Sequence, residues 1–134
     1  MNRTEIIELA AKTAYEVNRA YSAGLGDASF GPWADAPDWQ RATNRKGVEA
    51  VMAGQGPRQL HESWLEEKKT TGWKYGPVKN VETKEHPCFV GYDDLPGSQR
   101  AKDTLFLTTV KGVLDAHGVK FSFCLRNHAF DLSS

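Results

Sequence analysis

The chain has 134 residues, 40% hydrophobic and 25% charged, with 17 basic side chains balancing 17 acidic ones. That length suits one domain folding around its own core, and the cancelled charge excludes a long-range field drawing the molecule onto nucleic acid or an anionic membrane. Two cysteines, Cys88 and Cys124, without zinc spacing, exclude a disulfide framework and fit reduced thiols in a cytosolic protein.

The opening residues "MNRTEIIELAAKTAYEV" carry glutamates where a signal peptide needs an apolar stretch. No run approaches the roughly 20 apolar residues of a membrane span, so a cytoplasmic protein is expected. Ile7, Ala10, Ala11, Ala14, Val17, Tyr21 and Leu25 recur at helical steps behind Thr4 as N-cap, which predicts an amphipathic helix ended by glycines. A turn-rich loop follows, in which Pro32 and Pro37 bracket Trp33, a tryptophan expected to pack down as a plug. Trp39, Ala42, Val48 and Val51 then mark a second helix from about Pro37 to Met52.

Pro57 starts a third helix, "PRQLHESWLEEKK". Leu60, Trp64 and Lys68 share one of its faces, His61 and Leu65 an adjoining one, and the charged run "EEKK" reads as its solvated side. Gly72 ends it. "WKY" and "CFVGY" are short enough to be strands, joined by "GPVKNVETKEHP", which has room for a turn but for no element of its own. The long final helix holds Ala101, Leu105, Phe106, Val110, Val113 and Leu114 and closes at His117 and Gly118; "VKFSFCL" beyond it alternates like a strand. The fold class is therefore mainly α with minor β, about four helices plus short strands in one domain.

No pair among His61, His86, His117 and His128 has the spacing that puts two metal ligands on one helical face. His86 and Cys88, two apart across Pro87, do not read as a nucleophile and its base, and no nucleotide-loop or nucleophile-elbow motif occurs. The sequence thus predicts no enzyme, no metal and no cofactor. What stands out is aromatic. Trp33, Trp39, Trp64, Trp73, Tyr75 and Tyr92 are interleaved with Arg41, Arg45, Lys74, Lys79 and Lys84. Flat rings hold purines by stacking and cationic heads hold phosphates, so these are the parts of a nucleotide pocket. The competing reading is that the tryptophans fill core.

The run from His61 to Pro96 has a distinctive order of features. His61, Glu62 and Trp64 come first, then Gly72, Trp73, Tyr75, Gly76 and Pro77, then His86, Pro87 and Cys88, then Leu95 and Pro96 before a helix. This order resembles the RyR domain, the repeat domain of ryanodine receptors, over roughly residues 57–118, preceded by a helical part at 1–56 and followed by a strand or tail at 119–134. The helices ahead of it are similar to the preface of small stand-alone RyR-domain proteins of bacteria and their phages, which implies the cytoplasm of a bacterium or of an infected host.

The resemblance implies a helical hairpin with a small β element. Because receptor repeats pair about an approximate two-fold axis, it also implies a homodimer imitating that tandem. It further implies an adenine nucleotide among aromatic side chains, with Trp64 at the matching position. The ligand-binding set expected on these grounds is Trp64, Trp73 and Tyr75 for stacking, Lys74, Lys79 or Arg45 for phosphate, and His61 and His86 beside them. The alternative is a protein–protein docking module in which the same rings are core and interface. A hydrolase using His86 or His61 lacks a partner base.

Overall fold

The computed structural model describes residues 1–119, which form four helices, α1 (Arg3–Gly24), α2 (Asp38–Met52), α3 (Pro57–Thr70) and α4 (Gly97–Ala116), and two short strands, β1 (Lys74–Tyr75) and β2 (Glu85–His86). The mainly helical class with minor β structure is the one the sequence predicts. The strand expected in "VKFSFCL" lies, apart from Val119, outside the described residues. Among them, no helix is long and apolar enough to cross a membrane.

Asn2, and not Thr4, caps α1. Its side chain accepts the Glu5 N–H at 2.9 Å, and the Glu5 carboxylate accepts the Asn2 N–H at 3.0 Å. Three places beyond Thr4 stands Ile7, so only the earlier start closes this reciprocal box. All four helices stop alike: Gly26, Gly54, Gly72 and Gly118 take φ of 99, 96, 89 and 68°. The next N–H then reaches back across the last turn, as Trp73 does to the Lys68 carbonyl at 3.0 Å. A β-carbon disfavours that backbone region, which is why glycine marks every stop.

The core lies between α1, α2 and α4. Ala10, Ala11 and Ala14 are wholly buried on α1 and let its neighbours come close; they face Val48 and Val51 of α2 and Leu107, Val110 and Leu114 of α4. Trp39, expected on the buried stripe of α2, is instead 60% exposed. The reason is local: its ring lies 5.2 Å from the Lys68 ammonium, at the rim beside α3 and away from the α1–α4 core. Helix α3 adds only His61 to the buried set.

Trp33 does plug the α1–α2 connection. It is 7% exposed, meets Tyr15 edge-on at 5.4 Å, and donates its indole N–H to Glu8 at 3.2 Å. Its backbone N–H bonds Glu16 at 2.9 Å and, with the Arg19 guanidinium, holds that carboxyl below the usual carboxylate range. The Tyr15 hydroxyl closes the loop by donating to the Gly31 carbonyl at 2.6 Å.

Between α3 and α4 the structure departs from the expected strands. β1 does fall in "WKY", but its partner is Glu85–His86, inside the segment expected to be only a turn, and "CFVGY" forms no strand. The pair is parallel, Lys74 beside Glu85 and Tyr75 beside His86. The chain doubles back at Asn80, whose side-chain oxygen accepts the N–H groups of Glu82 and Thr83 and whose backbone bridges Glu85. A side chain capping its own turn thus replaces the long crossover that parallel strands normally need.

Gly76 makes the pairing feasible. A β-carbon there would stand 2.5 Å from the Glu85 β-carbon, an atom fixed to the opposite backbone. Gly76→Ala is therefore expected to lower stability by about 2–3 kcal/mol, read as a reduced urea midpoint. An unchanged midpoint would mean the two strands separate freely.

Candidate functional site

Pro57 fixes the start of α3, and the Gln59 side chain accepts the Gly56 N–H at 2.7 Å. One flank of the helix then presents His61, Trp64 and Lys68 to the segment folded by β1 and β2. His61 is 6% exposed and donates from Nε2 to the Val90 carbonyl at 2.7 Å, so this buried imidazole is satisfied and ties α3 to the downstream loop.

The rings form a continuous string. Tyr92 lies 6.2 Å from His61, His61 lies 5.6 Å from Trp64 at 21° between planes, Trp64 meets His86 edge-on at 5.1 Å, and His86 is 6.1 Å from Trp73. A cation closes each end: Arg58 sits 5.0 Å over Tyr92, and Lys68 5.0 Å over Trp73. Lys68 thus belongs to the site, contrary to the solvated reading of "EEKK", and burial pushes its ammonium pKa down.

His86 is positioned by its own turn. Nδ1 accepts the Cys88 backbone N–H at 3.0 Å across Pro87. Burial, and then Lys79, Lys68 and His61, push its pKa down to about 4, so the ring is neutral at physiological pH. Burial raises the Cys88 thiol in turn, so the sulfur stays protonated while the Nδ1 of His86 is committed to the Cys88 backbone. That is architecture, as the Pro87 bend implied.

A cavity of about 580 Å³ opens where the four helices meet residues 86–88. Trp64, His61, His86 and Phe106 give it an aromatic wall, Lys79 and Lys102 supply cations, and Lys46 is paired with Glu67 of the same lining at 3.5 Å. Of the expected ligand-binding residues, the structure thus brings Trp64, His61, His86 and Lys79 together. Trp73 supports His86 from behind and does not line the cavity. Tyr75 is 55% exposed and Lys74 exposed on β1, while Arg45 is paired with Glu8 of α1 at 2.9 Å.

A family model described as the RyR domain matches residues 42–123, more than half of the chain. The chain belongs to the RyR domain family. The RyR match begins within α2, ahead of the Pro57 boundary drawn from the motif, and so takes in the cavity-lining residues Thr43, Asn44, Lys46 and Gly47.

Among the polar residues lining this RyR-domain cavity that the sequence reading missed are Asn18 of α1 and Asp103 of α4. A signal was there: Asp103 keeps helical register with Leu107, Val110 and Leu114, and Asn18 with Ile7, Ala11 and Ala14. A polar side chain on an apolar stripe is the mark of a lined cavity. Desolvation raises the Asp103 carboxyl to about 7, against the smaller opposing pull of Lys102.

Proposed function

We propose that this RyR domain is a non-enzymatic binding module for an adenine nucleotide, acting as a sensor or sequesterer of a nucleotide signal in a bacterium or phage. The observation that carries the reading is the cavity of about 580 Å³, which joins the Trp64 ring to Lys79 and Lys102. Its size lies within the roughly 300–1,000 Å³ of small-molecule sites. The base stacks on Trp64 across from His61, and the lysines meet phosphate. The proposal extends to a homodimer, in which a second Trp64 covers the base and the exposed Tyr75 and Lys74 face the partner.

Thermal-shift measurements with ADP, ADP-ribose and cyclic dinucleotides test this. At least one is expected to stabilise the protein, and Trp64→Ala to weaken that ligand by about tenfold. No stabilisation, or an equal response in Trp64→Ala, removes the reading; a monomeric mass at micromolar concentration removes its two-chain form.

One observation favours a docking module instead: Trp39, Tyr75, Val78 and Val81 are 60, 55, 72 and 67% exposed. On that reading no nucleotide shifts the melting temperature.

A further inference from the structure

Two oxygens of residues that line the cavity, Oδ1 of Asn18 and Oδ2 of Asp103, are turned away from its open space, enclosed from water, and lack a hydrogen-bond partner among the described residues. Both residues line the cavity that also holds Trp64. The Asn18 amide is held by one long bond, its Nδ2 donating to the Lys102 carbonyl at 3.4 Å, and its oxygen is the free end. Natural interiors pair nearly all such atoms, so two orphaned acceptors on one cavity call for a donor supplied from outside.

We propose that Asp103 and Asn18 are the specificity-determining residues of this pocket, receiving the two N–H donors of the exocyclic amine of an adenine base. The inference rests on the nucleotide reading and goes beyond it in assigning the base edge to residues of α1 and α4. An amine offers two donors to two acceptors. The terminal torsions of aspartate and asparagine are soft, so both oxygens can turn toward a ligand at the wall, the Asn18 amide giving up its long bond to Lys102 as it does so. Hypoxanthine, which carries a carbonyl at the same place, sets a third acceptor against those two. A site built around one polar group rejects the analogue lacking it, because its own buried atoms are then left unpaired. The Lys102 ammonium and the Cys88 thiol also lie near the Asp103 carboxyl, but among the described residues neither bonds it, which leaves the carboxylate for the ligand.

The test is titration calorimetry with ADP and IDP at pH 8.5, where the Asp103 carboxylate only accepts. The protein is expected to prefer ADP by about tenfold or more. Asp103→Ala and Asn18→Ala should each compress that ratio toward unity, and Asp103→Asn, which restores an acceptor, should recover part of it. Trp64→Ala should weaken both ligands and leave the ratio standing. Equal binding of ADP and IDP by the unaltered protein, or a ratio that survives Asp103→Ala, overturns the assignment while leaving nucleotide binding intact. Failure of both ligands to bind overturns the nucleotide reading and this inference together.

Discussion

Trp33→Ala should lower the stability of the protein by about 3–5 kcal/mol, a large fraction of the roughly 5–15 kcal/mol typical of a domain. Several losses coincide. The ring fills the connection between α1 and α2, and its removal leaves a void against Tyr15. Glu8 loses the indole donor at 3.2 Å and keeps only Arg45. Trp33→Phe separates the two contributions: it should recover most of the packing but not the hydrogen bond, about 1 kcal/mol of the total. Urea unfolding of both variants measures this. A Trp33→Ala loss below about 1 kcal/mol would mean that α1 and α2 do not depend on the plug.

The second large effect is in pH. Asp103 holds its proton in the folded chain up to about pH 7, against 3.8 for an ordinary aspartate. Between those values the folded state binds a proton that the unfolded state has released, so stability falls as pH rises, by about 4 kcal/mol at full size. His86 acts the other way. Its folded pKa of about 4 lies below the ordinary 6.5, so the unfolded chain takes up a proton that the folded one refuses, and stability rises with pH across that window. Its half-solvated ring limits this to about 1–2 kcal/mol.

The wild-type profile should therefore decline only gently from pH 4.5 to 6.5 and continue down to about 7. Asp103→Asn removes the falling contribution alone. Its stability should rise from pH 4.5 to 6.5 and then level, exceeding wild type at pH 8 by about 2–4 kcal/mol, less whatever the buried amide gives up. Glu16 and Asp27, whose carboxyls are held low, are common to both proteins and cancel in the difference. Parallel profiles from urea midpoints at pH 4.5, 6 and 8 would mean that Asp103 is ionised in the folded protein throughout.

The helices were legible because their signals are local. Pro57 at one start, glycine at every stop, and the stripe of Ile7, Ala10, Ala11 and Ala14 each depend on residues within a few places of one another. Where a signal needed a partner from elsewhere, the reading failed. Lys68 looked solvated until Trp39 and Trp73 were brought to either side of it. Glu85 and His86 have no strand-like composition, and they pair with β1 because Asn80 folds the chain back and Gly76 lets the backbones meet. In the site, Trp64, His61 and His86 came from one motif, and Lys79 from the cations interleaved with the aromatic residues. Asn18 and Asp103 come from helices 84 residues apart in sequence where Asn18 bonds Lys102, and only tertiary packing joins them.

Helix α3 buries one residue, whereas α1, α2 and α4 share the core. The molecule therefore divides into two regions of unequal cooperativity. The three-helix part opens only with global unfolding, and the part carrying Trp64 and His86 can come away in a shallower, sub-global step. Amide hydrogens across residues 57–90 would then exchange ahead of those in α1 and α4. A molecule bound in the cavity would touch both parts and fasten the looser region to the tighter one, so its occupancy would be transmitted as rigidity with little change in shape.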